Sequence, residues 1–527
     1  MYVTVNPFVT ATILIALTSF LVWYFWYKQP PNGLPGTKGI PLFGVLFSLG
    51  SFAEKLFQKW AKIYGPLYGV KVGTMDVVVI SSPEIAYKAF AKNDCFNDRP
   101  QSVPMLSDGK GIVMINSTDF HREQRRFGLY TLREFGMGRR SLEPRLIEIS
   151  RELCTKIDDL CGDSGLSGPF QIHAKVYEAI SSVISSIVFG HDVGKESKEF
   201  QDLIYSLFVQ NDNAVLGSLM LFAPFLRHLP FFSNLWKKSQ ELGQRINDLI
   251  IIEIKAHQGS NDPNNPRDFI DCFLTEMART GQADFEGEGV VHSSKTWRHV
   301  LKSEEVEVEE CSSDWKPNTS FFLDQLVSLV RDIFVAGTDT TSTAVCWIIL
   351  YLCKYPDVQK KMQQEIDDVI GQSGVPKISL MNRFPYTRAV IQEVTRIRPI
   401  VPLNVPHRAS RDATLMGYHI PKGAIILTNI WAIHHDESRW PEPEVFRPKR
   451  HLDENGKFVK SSNWMLFGVG TRSCLGQQLA NMELFITTIS LFQRFQFSFP
   501  PGTIPDMNGE SSVSLRPLHF DVNASRR

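Results

Sequence analysis

FGVGTRSCLG, residues 467–476, holds one cysteine, Cys474, among three glycines, with Arg472 two residues ahead of it. A cysteine that only fills a core packs as a small hydrophobe and needs none of this company. Gly468, Gly470 and Gly476 let backbone approach something flat and large, and amides in such a loop are placed to donate to a thiolate. Arg472 adds a cation, which favours the deprotonated sulfur that ligates metals. The remaining cysteines, 95, 154, 161, 272, 311, 346 and 353, form no CxxC pair and no regular framework, which argues against zinc sites and a disulfide scaffold. They read as small core residues in a reducing compartment.

Upstream of this loop, AGTDTTS (336–342) interrupts a long apolar helix expected from about Leu323 to Tyr351. A glycine and a run of hydroxyl residues lower helix propensity, so local stability is given up there for another purpose. EVTR (393–396) puts Glu393 and Arg396 on one helix face, a commonplace spacing by itself. In HREQRRF (121–127), His121 and Arg125 also share a face, while Arg122, Arg126 and Arg133 fall together on another.

Further helices are expected at 356–371 and 385–396, mostly helical pattern from about 120 to 260, and a closing helix at about 476–494. Residues 64–80 read as a strand pair followed by a helix begun near Pro83, and short β-like pieces return between 402 and 430. The fold class is mainly α with a small β portion near the N-terminal end, an α+β body. Residues 281–318, with SEEVEVEE at 303–310, lack an apolar period and read as a solvated loop, an acidic docking tail being the sharper alternative. Across 527 residues, 43% apolar and 21% charged composition is globular, and a formal net charge of +0 gives no reason to expect nucleic acid.

The first residues depart from that average. From Met1 to Tyr27 no residue is charged, and Phe8 to Tyr27 is long and apolar enough to span a bilayer, ending in an aromatic cluster before Lys28. A cleaved signal peptide and a buried helix are the alternatives, but the run is long for a signal and no small-x-small site follows. The Pro- and Gly-rich stretch 30–44 then reads as a stiff hinge. With Lys28 and Lys38 on the C-terminal flank, the body is expected on the cytosolic side. The expected organisation is an anchor at 1–28, a hinge at 29–50 and a catalytic domain at 51–527.

FGVGTRSCLG resembles the FxxGxRxCxG haem-thiolate loop of the cytochrome P450 family, and four further motifs follow the family's order. The resemblance implies a cytochrome P450 fold behind an N-terminal transmembrane helix, with haem b (iron protoporphyrin IX) as cofactor and Cys474 as the axial ligand of its iron. Phe467 and Gly468 would contact the haem. Asp339 and Thr340 match the acid–alcohol pair that relays protons to iron-bound oxygen, and local widening of the helix near Gly337 is expected to make room for it. Glu393 and Arg396 match ExxR, and Arg450 in FRPKRH (446–451) completes a structural Glu–Arg–Arg triad, with His451 where the family has Phe. His121 stands where the family has Trp; with Arg125, His407 of NVPHRASRD (404–412) and Arg472 it is expected on the haem propionates.

GIVMINS (111–117), TLREFGMG (131–138), SSIVFG (185–190) and PRDFIDCFL (266–274) look like the animal microsomal group that metabolises drugs and steroids. The resemblance covers about 30–525 except 281–318, where the family's connection is shorter. It implies substrate contacts at Val103, Ile115, Phe208, Phe334, Ala336, Val401, Leu403, Val405 and Val513, and entry from the bilayer past 221–232. No flavin or nicotinamide motif accompanies the loop, so electrons are expected from an NADPH-dependent flavoprotein reductase, with cytochrome b5 as a second donor. The face carrying Arg122, Arg126 and Arg133 suits docking of an acidic partner or is simply solvated.

The expected function is hydroxylation or epoxidation of a lipophilic steroid, fatty acid or xenobiotic at the endoplasmic reticulum membrane. A haem-thiolate isomerase or dehydratase, and a membrane haem sensor without enzymatic activity, are the rivals.

Overall fold

Val77–Val79 and Ile425–Leu427 are runs of branched apolar residues, a pattern that fits a strand buried on both faces. In the computed structural model these runs pair in parallel, Val77 with Ile425 and Ile80 with Thr428. The structure describes residues 11–20, 33–40, 43–100, 109–135, 142–198, 200, 202–203, 226, 228–280 and 320–527. Strands Leu67–Val72 and Met75–Ile80 form the expected antiparallel pair, and Gly36–Thr37 and His407–Arg408 complete a five-stranded sheet. One apolar cluster lies on each side of it.

Helices make up most of the body. Leu323–Lys354 runs for 32 residues through the main core, packed most extensively against His173–Val188. It is apolar enough to cross a membrane, but its burial makes it a core helix. Pro356–Ile370, Pro385–Ile397 and Gln477–Arg494 fall close to their expected spans. Pro83–Phe90 begins with Ser82, whose hydroxyl accepts the Ile85 N–H, and Thr118 caps Asp119–Glu134 the same way.

Two sequence expectations need correction. The chain does not close on the helix ending at Arg494: Phe495–Ser498 and Phe170–Gln171 pair with the terminal strand Asp521–Arg526. The β structure is therefore not confined to the N-terminal end. Nor does the long helix widen at Gly337, since 323–354 is regular α-helix. Gly337 is explained by close packing, because a Cβ there would lie 2.7 Å from Ile184 Cδ1. Of the expected anchor, the described part is the apolar helix Ala11–Phe20, with Ile13, Leu14 and Ile15 exposed. The expected loop 281–318 lies outside the described residues.

Glu393, Arg396 and Arg450 meet beneath the thiol loop region in a buried network. Arg396 holds both carboxylate oxygens of Glu393 at 2.7 and 2.9 Å, and Arg450 Nε donates to Oε1 at 2.9 Å. His451 Nε2 reaches Oε2 at 2.9 Å, with Gln392 at its Nδ1, and the Arg447 N–H adds a fourth donor group to Glu393. Burial alone would raise the Glu393 pKa; the hydrogen bonds from His451 and Arg396 outweigh it and hold the pKa at about 2.

Because that folded pKa lies below the ordinary 4.5, the group's contribution to stability is complete above about pH 4.5 and is lost as pH falls toward 2. Glu393→Gln leaves buried guanidinium groups without a counter-ion and is expected to cost about 3 kcal/mol in urea melts at pH 7. The difference from wild type should shrink steadily as the melts are repeated from pH 4.5 downward. Gly470 has φ 81°, and a Cβ there would lie 2.3 Å from the Phe90 carbonyl oxygen. Gly470→Ala should destabilise by more than about 1–2 kcal/mol, the cost of the backbone conformation alone, as read by thermal melting.

Candidate active site

Among the described cysteines Cys474 alone is exposed; Cys272 is half-buried and the others are buried. Its loop is a tight fold-back, with Gly468 N–H on the Met465 carbonyl at 3.0 Å and Cys474 N–H on the Phe467 carbonyl at 2.9 Å. Gly468 and Gly470 take positive φ angles that disfavour any side chain. Gly476 caps the helix Gln477–Arg494, and its N–H donates to Cys474 Sγ. The sulfur is reachable by solvent, yet enclosed enough that burial raises its pKa; the Gly476 N–H and the Arg125 charge pull it back.

Arg125, not Arg472, is therefore the cation that supports the sulfur. Arg472 is engaged by backbone: it donates to the carbonyls of Asn97 at 3.0 Å, Ile112 at 3.3 Å, and Ile115. Those bonds brace the loop against Asn97, Ile112 and Ile115. Arg125 Nη2 donates to the Ser473 carbonyl at 2.8 Å, one residue from the thiol.

His121 is buried one turn before Arg125, and its Nδ1 has no hydrogen-bond partner. Burial, then the charges of Arg472, Arg125 and Arg99, bring its pKa down to about 3. His407 gives its Nδ1 to the Phe96 carbonyl at 2.8 Å and packs on the Phe90 ring; burial and Arg99 push its pKa down. A neutral His407 bonded this way carries its lone pair on Nε2, so donation to an acid there requires a second proton held by that acid's own charge.

Arg99 was not singled out by any motif. It is buried and donates to the carbonyls of Val113, Val405 and Pro406. In sequence an arginine between Asp98 and Pro100 looks like any turn residue. Arg99, Arg125 and Arg472 thus gather with two histidines, and the acid whose charge reaches Arg472 is Asp98. This surplus of positive charge, with an orphaned imidazole nitrogen, fits a cofactor that carries carboxylates.

On the long helix, Ile333, Gly337 and Thr340 are half-buried and Ala336 is exposed, a stripe along one face of a mostly buried element, with Val335 beside it half-buried as well. The Thr340 hydroxyl donates to the Ala336 carbonyl at 2.7 Å. Asp339 points elsewhere: its Oδ1 lies 2.9 Å from Arg516, beside a cavity of about 40 Å³ lined also by His173, Tyr177, Glu510 and His519. Arg516 is a second functional neighbour that sequence reasoning missed.

The expected substrate contacts divide. Ala336 is exposed, and Val401, Leu403 and Val405 are half-buried. Phe334 is instead turned into the core between Phe189 and Phe200, and Ile115 is buried with its carbonyl on Arg472. Their large apolar side chains gain more from burial there than from an open face. Val513 is 62% exposed. Val103 and Phe208 lie outside the described residues.

The cytochrome P450 family profile matches residues 34–296 and 305–524, its one gap at 297–304 falling inside the 281–318 segment. Cytochrome P450 2U1 of Rattus norvegicus is 34% identical over 543 residues, covering 98% of this chain and 95% of that protein. Cytochrome P450 2J3 of Rattus norvegicus is 36% identical, covering 98% of this chain and 96% of its own length. Cytochrome P450 2J2 of Homo sapiens is 34% identical, with 96% and 94% covered. A match of that length, over a reachable thiol in a glycine loop with a cationic surround, makes this chain a member of the cytochrome P450 family, a haem b monooxygenase.

Proposed function

We propose that this monooxygenase is held in the endoplasmic reticulum membrane by residues 1–28, with its body on the cytosolic face. In this reading it hydroxylates or epoxidises a lipophilic steroid, fatty acid or xenobiotic. The single observation that carries the site assignment is Cys474: one accessible thiol, with a backbone N–H on its sulfur and Arg125 beside it. Haem bound there activates O₂ with two electrons and two protons, placing one oxygen atom in substrate and the other in water.

This chain's residues do the rest. Cys474 would ligate the iron as thiolate, with the Gly476 N–H and Arg125 stabilising that negative charge. Arg99, Arg125, Arg472, His121 and His407 would hold the propionates. Thr340 presents a hydroxyl on the accessible stripe, where it accepts and passes protons at Oγ1. Asp339, paired with Arg516 on a different face from Thr340, borders a cavity wide enough for water that His173, Tyr177 and His519 also line, from which protons are resupplied. Ala336, Val401, Leu403 and Val405 offer apolar surface to substrate.

Electrons come from an NADPH-dependent flavoprotein reductase, with cytochrome b5 as an alternative donor. The exposed Arg122, Arg126 and Arg133 on the helix Asp119–Glu134 support docking of an acidic partner. The exposed apolar residues of Ala11–Phe20 support the anchor.

The reduced, carbon-monoxide-bound protein is expected to show the strongly red-shifted thiolate band, and Cys474→Ala to abolish it; wild type without that band would sink the assignment. Thr340→Ala should lower product formed per NADPH by about tenfold or more while peroxide release rises, read by product and peroxide assays. Deleting 1–28 should release the protein from alkaline-washed membranes without abolishing the band.

A further inference from the structure

His434 ends the short helix Ile430–His434 and is fully buried. It lies in none of the motifs that carry the family resemblance, and the site described above makes no use of it. Its contacts run in two directions. Toward the buried triad, Arg396 Nη1 donates to the His434 carbonyl at 2.7 Å, while the ring Nδ1 lies 3.2 Å from the Arg396 carbonyl. Toward the thiol loop, the ring Nε2 accepts the Met465 N–H at 2.9 Å. The Met465 carbonyl takes the Gly468 N–H, and the Phe467 carbonyl takes the Cys474 N–H.

One ring state satisfies both ends: neutral imidazole with its proton on Nδ1, donating to Arg396 and accepting from Met465. A second proton would set N–H against N–H at Met465. Burial, followed by the Arg396 charge, keeps that proton off and brings the pKa down to about 3, so the ring stays neutral across the working pH range. Arg396 is itself fixed by both oxygens of Glu393 and by the Pro443 carbonyl. The path from Glu393 to the loop is therefore a continuous set of buried hydrogen bonds, each with its partner.

We propose that His434 is a positioning residue that carries the rigidity of the Glu393–Arg396 pair to the thiol loop through the Met465 N–H, keeping Cys474 in register with the haem iron. The inference rests on Cys474 being the iron ligand. It gives the triad a direct mechanical route to the loop that the triad's own side chains do not supply.

The test separates the two ends of the ring. A glutamine amide reaches about as far as Nε2 and offers an oxygen to Met465; an asparagine amide reaches about as far as Nδ1 and serves only Arg396. Full-length holoprotein is prepared as wild type, His434→Gln, His434→Asn and His434→Phe. The readout is the rate at which the red-shifted carbon-monoxide band decays to the form that has lost its thiolate in mild urea, with melting temperature measured alongside. Asn and Phe are expected to lose the band about tenfold faster than wild type, the scale of a buried N–H left unsatisfied. Gln should stay within about twofold of wild type.

Equal decay for Gln and Asn, or decay that simply follows melting temperature across all variants, overturns the proposal. Should the Phe variant fail to accumulate, the Gln–Asn comparison decides alone. A wild type lacking the band overturns the ligand role of Cys474 and this inference with it, before any variant is compared.

Discussion

The carboxylate of Glu393 is a full negative charge with no exposure to water. Such a charge is tolerated only when its lost hydration is replaced by aimed donors. Arg396, Arg450, His451 and the Arg447 N–H supply them from the helix Pro385–Ile397 and the turn Pro448–His451, which cannot separate without exposing an unpaired ion. His451 is this chain's addition: where the family has an aromatic ring, an imidazole both packs against Trp440 and donates to the carboxylate. Rigidity beneath the thiol loop follows from electrostatics more than from apolar packing.

Around the loop the balance is reversed. Arg99, Arg125 and Arg472 crowd together with two histidines, and much of their bonding is to backbone carbonyls, which orient a guanidinium without neutralising it. Positive charge is thus kept in reserve on one side of the site. The long helix is dense with buried apolar side chains and carries an accessible stripe through Ala336 and Thr340. Asp339 and Thr340 are neighbours in sequence and yet serve different faces, as the 100° step of a helix requires. The acid is anchored by Arg516, which leaves the alcohol as the polar group on the accessible side.

Local chemistry was legible in the sequence, and long-range partnership was not. Cys474 announced itself because three glycines and an arginine keep it company, more than a small core residue needs, and the long helix because its apolar run exceeds any strand. Glu393 and Arg396 were readable as a pair at helical spacing. Arg99, Arg516 and His434 were hidden: each is a polar residue in a turn, a short strand or a short helix, and each acquires meaning only from partners outside its own element, from 31 residues away for His434 and Met465 to 306 for Arg99 and Val405. The same limit explains two misreadings. Arg472 lies two residues from the thiol in sequence but points at the carbonyls of Asn97 and Ile115, while Arg125, far off in sequence, reaches the sulfur. Gly337 looked like space for a ligand, but Ile184 of another helix fills that space.

The parallel pairing of Met75–Ile80 with Ile425–Thr428, and the antiparallel pairing of Phe170–Gln171 with Asp521–Arg526, join the first part of the chain to the last. As the protein leaves the ribosome, its early strands must wait, edges bare, until nearly all of the polypeptide has been made. In a chain anchored as proposed through residues 1–28, the bilayer would hold copies apart while those unpaired edges are exposed, a use in assembly that precedes any role beside substrate.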